Sequence, residues 1–176
     1  IKKEKDLKQF IKAIHRNSER LKNLVDDLLH LSRIEGGSLN MTIEKINLDH
    51  IVESTILNLE QEALRKDIKI ESLVDKRIEV LSDFISLDII ISNYLNNAIA
   101  YSPNNSKITI SAEEAYEKIK LSVKDEGEGI PENYKDRVFE RFFRVDKGRS
   151  LNQGGTGLGL SIVKNLASTL SSPVGV

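Results

Sequence analysis

Apolar residues recur at heptad spacing along the first part of the chain. Charged residues lie between them, and this amphipathic repeat is typical of a long helix in a bundle or a coiled coil. The apolar stripe needs a partner helix, and no nearby segment has a comparable length. We therefore expect another protomer, a missing upstream helix or both to cover it. The two heptad series consist of Leu7, Ile14, Leu21 and Leu28, and of Phe10, Leu24 and Leu31.

A glycine stop follows this repeat at Gly36 and Gly37. Glycine adopts the left-handed conformation that commonly ends a helix, so the long helix is expected to stop here. The stop marks a predicted domain boundary. It divides the chain into a helical segment, 1–36, a hinge with the first strand, 37–46, and a main domain, 47–176.

The main domain alternates between strand-like and helical patterns. Period-two alternation predicts strands, and apolar residues three and four positions apart predict helices. Because hairpins and helices come in blocks, we expect an α+β fold with a mostly antiparallel sheet and helices on one face. Asn47 to Asp49 are expected to cap the first helix of this domain. The predicted strands are 41–46, 68–73, 77–81, 107–112 and 118–124, of which the last two form an antiparallel hairpin, and the predicted helices are 47–65, 84–101, 134–139 and 156–170. The predicted inner face of the helix over 47–65 consists of Ile51, Val52, Thr55, Ile56, Leu59 and Ala63.

Composition narrows the class of protein. The 176 residues are enough for one domain with a helical extension,. The 26 basic side chains are balanced by 27 acidic ones, so the net charge gives no reason to expect nucleic-acid binding,. Cysteine is absent, which excludes disulfides and a cysteine nucleophile,. No apolar run approaches the roughly 20 residues that span a bilayer. The chain starts without methionine and ends in an apolar, turn-like segment, which we interpret as a fragment.

The stretch from Gly155 to Gly159 alternates glycine with other residues and runs into an apolar helical pattern. Glycine allows the backbone to approach a ligand closely, and the free N–H groups at a helix start attract negative charge. The stretch therefore predicts a phosphate-holding turn. An isolated match is also typical of a mobile surface loop before a helix.

Three further groups of polar residues have two interpretations each. Asn93 and Asn97 project from one face of the second helix, with Tyr101 continuing the line; they form either a solvated face or neutral oxygen ligands for Mg²⁺,. Asp125 either stabilises a turn or accepts a hydrogen bond from the amine of adenine. The segment 139–146 contains three phenylalanines typical of a core, and arginines that suit a polyphosphate,.

The order of these motifs resembles the N box, first glycine box, F box and second glycine box of sensor histidine kinases of two-component systems. The long helix resembles the second helix of that family's dimerisation and histidine-phosphotransfer hairpin. The resemblance thus covers nearly the whole chain. The motifs are Asn93-x-x-x-Asn97, Asp125-x-Gly127-x-Gly129, Phe139-x-x-Phe142-Phe143-Arg144 and Gly155-Thr156-Gly157-Leu158-Gly159-Leu160.

This resemblance implies a Bergerat-type fold, a two-layer α/β sandwich with a mostly antiparallel mixed sheet, that binds ATP under a mobile lid formed by residues 144–154. Asn97 would ligate Mg²⁺ with Asn93 beside it, and Asp125 would read the adenine amine. Gly155, Gly157 and Gly159 would let the lid close over the phosphates. The implied ATP-binding residues are Asn93, Asn97, Tyr101, Asp125, Gly127, Gly129, Arg144, Lys147, Gly155, Thr156, Gly157, Leu158 and Gly159.

The sequence departs from the family pattern at three places. Ala100 stands where the family usually has a lysine, so Lys147, Arg144 or Arg149 would have to supply that phosphate contact. The phosphoacceptor motif is absent, and His15, His30 and His50 are interpreted as surface or packing residues,. The hairpin that normally finishes the family's sheet is also missing before Val176.

The resemblance implies a protein-histidine kinase that transfers the γ-phosphoryl group of ATP to a histidine on an upstream helix, for relay to an aspartate of a response-regulator receiver domain. The intact protein would dimerise through the N-terminal helix. The chain itself would be cytoplasmic, and regions outside it would anchor the intact protein in the bacterial inner membrane. The alternatives are a degenerate nucleotide-binding dimerisation module and an ATP-hydrolysing member of the same fold. Hydrolysing members have a glutamate where Asn93 stands, and asparagine cannot act as a general base,.

Overall fold

The computed structural model describes residues 2–36, 40–115, 118–145 and 155–176. They form helices and strands in the order α1, β1, α2, β2, β3, α3, β4, β5, α4. The helices are α1 (Lys2–Glu35), α2 (Leu48–Leu64), α3 (Phe84–Tyr101) and α4 (Gly159–Thr169). The strands are β1 (Ile43–Asn47), β2 (Lys69–Leu73), β3 (Glu79–Asp83), β4 (Lys107–Ala115) and β5 (Lys118–Lys124).

The described strands form two sheets. Strands β1 and β3 pair antiparallel in a small sheet. The larger sheet has the order β2-β4-β5, in which β2 and β4 are parallel and β4 and β5 are antiparallel. The parallel pair is possible because β3 and α3 intervene between β2 and β4 and supply a long crossover. The α+β class and the hairpin are confirmed, but the expected single sheet is divided in two.

Helices α2 and α3 cover the main hydrophobic core. The predicted inner face of α2 is confirmed, since Ile51, Val52 and Ala63 are buried and Ile56 and Leu59 are partly buried against the same core. Strand β4 contributes its alternate residues to this core. The largest fully buried side chains of the main core are Leu48, Ile51, Ile91, Leu95, Ile108 and Ile110.

Side-chain caps fix the starts of both core helices. The prediction of a cap at the start of α2 is confirmed: the Asn47 carboxamide oxygen accepts a hydrogen bond from the His50 N–H at 3.0 Å,. The cap of α3 is Asp83, which we did not predict. Its carboxylate accepts bonds from the Ser86 N–H at 2.8 Å, the Ser86 hydroxyl at 2.6 Å and the Thr42 N–H at 3.0 Å.

Among the described residues, helix α1 contacts the α4 region through the part near its C-terminal end. Leu31 is 3% exposed and packs in a second core with Leu158, Ile162 and Leu166 of the α4 region. Farther back along the stripe, Leu7 is 57% exposed, as expected for a face that lacks its partner in a single chain.

Two predicted elements differ from the structure. The helix expected over 134–139 is instead a pair of 3-10 turns, Glu132–Tyr134 and Arg137–Phe139, neither of which has a side-chain cap to support a longer helix,. Helix α4 starts at Gly159 and not at Thr156. Gly157 has a φ of +75°, which a right-handed helix cannot accommodate, so the helix begins after it,.

Candidate functional site

Asn93 and Asn97 lie one turn apart on one side of α3, which continues to Tyr101 at its last turn. The Asn93 side-chain amide donates to the Ile89 carbonyl at 2.8 Å, so this group is held against its own helix. Asn97 is partly buried, and its amide forms no hydrogen bond with the described residues. Tyr101 is 54% exposed. The face thus presents one uncommitted amide and one accessible aromatic ring.

The loop after β5 packs against the C-terminal end of α3. A Cβ at Gly127 would lie 3.1 Å from the Tyr101 carbonyl oxygen and 2.7 Å from Asp125 Oδ1, so a side chain there would be crowded on two sides. The Gly127 N–H donates to Asp125 Oδ1 at 2.7 Å, which orients the exposed carboxylate as in a turn,. Gly129 has a φ of +73°, which favours glycine,. The structure therefore brings Asp125 and Tyr101 to one place.

The last glycines join the remaining segments to α3. A Cβ at Gly159 would collide with Asn93 Oδ1, so a side chain at the start of α4 would require the Asn93 carboxamide to move. A Cβ at Gly157 would lie 3.0 Å from the Phe142 Cα, and the Phe142 N–H donates to the Gly157 carbonyl at 2.8 Å. The N-terminus of α4 is thus held between the asparagine face and the phenylalanine segment.

The other predicted residues of the glycine stretch have contacts within the protein. The Arg144 Nη1 donates to the Gly155 carbonyl at 2.8 Å. The Thr156 hydroxyl donates to Asp27 Oδ2 of α1 at 2.7 Å, and it accepts from the Leu158 N–H at 3.2 Å. The Leu158 side chain is fully buried in the second core, so any contact of this residue with a nucleotide would come from its backbone.

Charged groups of α1 face this region. Burial raises the pKa of Asp27, and the hydrogen bond from Thr156 opposes that rise. Glu35 forms an ion pair with Arg141, and these residues line a groove of about 500 Å³ together with Leu28, Leu31 and Phe142. Neither partner on α1 was predicted, because nothing in the heptad pattern distinguishes these carboxylates from others on the helix.

The phenylalanine segment is mainly structural. The Phe143 ring lies 5.7 Å from the Tyr134 ring, centroid to centroid, and the Arg137 guanidinium lies 4.4 Å from the Phe143 centroid. The latter distance is that of a cation–π contact. With Arg141 paired to Glu35, Arg144 is the predicted arginine closest to the glycine stretch within the described chain.

Part of the predicted lid lies outside the described residues. This applies to Lys147, to Arg149 and to residues 146–154 as a whole. In the described ranges, no three histidine, cysteine or acidic side chains are arranged to hold a metal ion. None of the helices in those ranges is long and apolar enough to span a bilayer.

Two family models match the chain in separate segments. Residues 82–175 match the model described as histidine kinase-, DNA gyrase B- and HSP90-like ATPase. Residues 2–37 match the His Kinase A (phospho-acceptor) domain. The first match contains every motif of the site described above, and the second coincides with α1.

Curated relatives and solved structures agree with these matches. Sensor-like histidine kinase SenX3 of Mycolicibacterium smegmatis is 38% identical over 162 residues, which make up 92% of this chain and 42% of that protein. Histidine kinase ThkA, solved in complex with response regulator protein TrrA, has a TM-score of 0.67 at 26% identity over 78% of this chain and 40% of that chain. Full-length ShkA in complex with AMPPNP has a TM-score of 0.81 over 96% of this chain and 35% of that chain; at 24% identity it shows a shared fold. The chain spans less than half the length of each of these proteins.

Proposed function

The chain belongs to the histidine kinase-, DNA gyrase B- and HSP90-like ATPase family, as a sensor histidine kinase, and from this premise we propose that residues 82–175 bind Mg-ATP and deliver its γ-phosphoryl group to a protein histidine. The histidine belongs to an upstream helix outside this chain. An aspartate of a response-regulator receiver domain then takes the phosphoryl group. ThkA, which resembles this chain, is solved with a response regulator protein, and that supports the choice of partner.

The observation that carries the proposal is a set of close glycine contacts. Gly127 lies against Tyr101, Gly157 against Phe142, and Gly159 against Asn93. A side chain added at any of these glycines would crowd its neighbour, and together the contacts join four sequence motifs in the region of α3 and the start of α4. A backbone that approaches other groups this closely suits a site that receives a flat base and a chain of phosphates.

Each side chain of the site has a proposed role. Asp125 accepts a hydrogen bond from the adenine amine, since the Gly127 N–H already orients its carboxylate. Tyr101 lines the nucleotide pocket, and Gly129 provides the turn beside it. Arg144, Lys147 and the backbone from Gly155 to Gly159 surround the phosphates. Phosphoryl transfer mainly requires positioning and charge stabilisation, which these groups supply.

Asn97 fits the role of a Mg²⁺ ligand. Its amide is partly buried and forms no bond with the described residues, and a neutral amide oxygen suits a magnesium ion that phosphates hold for the most part,. Asn93 is less available, because its amide nitrogen is bonded to Ile89 and its oxygen faces Gly159. When bound, the metal ion would neutralise phosphate charge.

Hydrolysis of ATP by this site is disfavoured. Activation of water needs a group that accepts a proton, and the Asn93 amide at the corresponding position has no such capacity. Transfer to a supplied histidine is therefore the proposed reaction. The uncommitted Asn97 amide also favours a catalytic unit over a degenerate module, since a module that only dimerises has no use for a metal ligand.

The proposed assembly is a homodimer through α1. The apolar stripe on α1 is largely exposed in one chain, which supports a second copy as its cover,. We propose that regions outside this chain anchor the intact protein in the bacterial inner membrane.

Calorimetric titration with Mg-ATP tests nucleotide binding. Asp125→Asn should weaken binding by about tenfold, since it replaces the acceptor of a charge-assisted hydrogen bond. Asp136→Asn is the matched control, because Asp136 is exposed and lies in the same half of the chain. Asn97→Ala should reduce the affinity for Mg-ATP more than that for metal-free ATP, with the exposed neighbour Asn96→Ala as its control.

A second experiment tests the transfer step. The chain is incubated with γ-labelled ATP, alone or with a supplied phosphotransfer hairpin that contains the acceptor histidine. Label should appear on the hairpin and not on the chain. Label on the isolated chain would contradict the assignment of the acceptor to a separate segment.

A further inference from the structure

Lys66 lies in the turn between α2 and β2, outside all the motifs that suggested a nucleotide site. Its ammonium group donates to the carbonyls of Ile99 at 2.7 Å, Ala100 at 2.7 Å and Ser102 at 3.2 Å. The three N–H donors of a lysine ammonium are thereby all used. Burial lowers the pKa of Lys66, in keeping with a group that is withdrawn from water.

These carbonyls belong to the end of α3 that carries Tyr101. The last carbonyls of a helix have no partner within the helix and form the negative end of its dipole. The last turn of α3 contains no basic residue of its own. Lys66 therefore provides, from another element, the positive charge that this helix end lacks.

The end of α3 that Lys66 bonds to is also contacted by the loop after β5, which contains Asp125 and Gly127. Tyr101 stands between the bonded carbonyls of Ala100 and Ser102, and its own carbonyl lies against Gly127. The Gly127 N–H in turn orients Asp125. A shift of the α3 end would move this carbonyl and so change the surface against which the Gly127 loop packs.

Backbone contacts already attach the turn to this region without the lysine side chain. The Asn105 N–H donates to the Lys66 carbonyl at 2.9 Å, and the Lys69 N–H donates to the Ser106 carbonyl at 3.0 Å. The ammonium group is therefore not needed to join β2 to β4. Its specific contribution is the position of the last turn of α3.

We propose that Lys66 is a positioning residue of the nucleotide site, which fixes the C-terminal turn of α3 and, through Tyr101 and Gly127, the orientation of the Asp125 carboxylate. Lys66 itself does not touch the nucleotide. This inference rests on the proposed function for its effect on ATP, while its effect on the Gly127 loop is independent of any nucleotide.

Three variants test the proposal. Lys66→Met keeps the length of the side chain and removes every donor. Lys66→Arg keeps the charge with a planar group that cannot reproduce three convergent bonds. Lys76→Met is the control, because Lys76 is an exposed lysine in the neighbouring loop whose side chain makes no hydrogen bond or ion pair with the described residues.

The first measurement is the amide NMR spectrum of the nucleotide-free protein. Lys66→Met should shift the Asp125 and Gly127 cross-peaks, whereas Lys76→Met should leave them in place. The second is the dissociation constant of Mg-ATP, which should rise about tenfold in Lys66→Met and less in Lys66→Arg. Urea unfolding shows how far each variant is destabilised, so that affinity is compared among folded proteins.

The outcomes separate the two claims. A folded Lys66→Met protein with unmoved Asp125 and Gly127 peaks and unchanged affinity overturns the positioning role. If the wild-type chain fails to bind Mg-ATP, the proposed function fails, while the NMR shifts still decide the role of Lys66. If Lys66→Met does not fold, Lys66→Arg decides by the same peaks and the same titration, with no change in either overturning the proposal.

Discussion

Helices α1 and α3 both place apolar residues three and four positions apart, yet the structure buries these residues in α3 and leaves many of them exposed in α1. In α3, Ile91 and Leu95 are completely buried under the sheet and α2. In α1, Leu7 and Leu21 are 57% and 63% exposed, whereas Leu31, near the end of the helix, is 3% exposed. The comparison shows that an apolar repeat reveals which face of a helix requires a partner. It does not reveal whether the partner belongs to the same chain.

The largest expected difference in unfolding free energy is between a leucine-to-alanine substitution in α3 and one in α1. Leu95→Ala leaves a cavity in a closed core and should lower the free energy of unfolding by about 2–5 kcal/mol. Leu21→Ala removes a side chain that is already exposed in the single chain, and it should change that free energy by less than about 0.5 kcal/mol. Urea unfolding of the monomeric chain measures both. A loss at Leu21 as large as that at Leu95 would contradict the exposed state of α1.

Gly157 lies between the phenylalanine segment and the start of α4, and substitution of this glycine should lower stability. An alanine there would adopt a φ of +75° and meet the Phe142 backbone at 3.0 Å, so we expect a loss of about 1–3 kcal/mol in unfolding free energy and weaker Mg-ATP binding. Gly175→Ala is the control, since no atom lies within 4 Å of the added Cβ. Unfolding and titration of both variants make the comparison. Equal behaviour of the two variants would show that the Gly157 turn is not required.

The start of α3 depends on Asp83, and its removal should have a moderate effect. Burial acts to raise the pKa of Asp83, but hydrogen bonds from the Ser86 hydroxyl, the Thr42 N–H and the Ser86 N–H bring the pKa below its usual value. Asp83→Ala should therefore lower the free energy of unfolding by about 1–2 kcal/mol at neutral pH.

The same cap gives a pH dependence of known sign. Because the folded-state pKa of Asp83 is lowered, its stabilising effect is present above the unfolded pKa, near 3.8, and is lost as pH falls through the folded value,. The difference in unfolding free energy between wild type and Asp83→Ala should shrink on acidification below about pH 4. Asp26→Ala on α1 serves as the control, since Asp26 is exposed. A difference that is constant with pH would rule out a contribution from the carboxylate charge.

The smallest effect concerns the contact of α1 with Thr156. Burial raises the pKa of Asp27, so the charged carboxylate is disfavoured in the folded state. Asp27→Asn keeps an oxygen to accept the Thr156 bond and removes the charge. After allowance for solvent screening at this half-exposed group, we expect a gain of about 0.3–0.5 kcal/mol in unfolding free energy at neutral pH.

The pH dependence of stability expected from Asp27 is opposite in sign to that expected from Asp83, because the pKa of Asp27 is raised and that of Asp83 is lowered. A raised folded-state pKa means that the folded protein binds the proton first, so wild-type stability improves as pH falls through that pKa, and the advantage of Asp27→Asn should vanish. Unfolding of both proteins across mildly acidic pH measures this. An advantage that grows on acidification would contradict the burial of this carboxylate.

Much of the fold was predictable because it depends on local pattern. The inner face of α2, the hairpin of β4 and β5, and the Asn47 cap follow from spacing and side-chain chemistry, and the structure confirms them. The division of the strands into two sheets was not predicted, since strand pairing depends on contacts between distant segments. The prediction of a short helix over 134–139 was wrong for a local reason, because a weak helical pattern does not compensate for the absence of side-chain caps.

The candidate site likewise has features that the sequence predicts and features that it does not. Its motif residues could be named from their order, and their roles in ATP binding stay predictions to be tested by the variants above. Their contacts could not be foreseen, because a glycine in a sequence indicates permitted conformations and not the neighbour that requires them. Lys66 gave no signal at all, as it is an ordinary surface-type residue at the end of a helix.

The sequence by itself determined which faces are apolar, where most elements begin and end, and which residue types line up as nucleotide-binding motifs, since these depend on local spacing along the chain. Only the tertiary structure decided that Lys66 holds the end of α3, 34 positions away at Ala100, and that Asp27 meets Thr156, 129 positions away. Such pairs form because packing of whole elements brings them together.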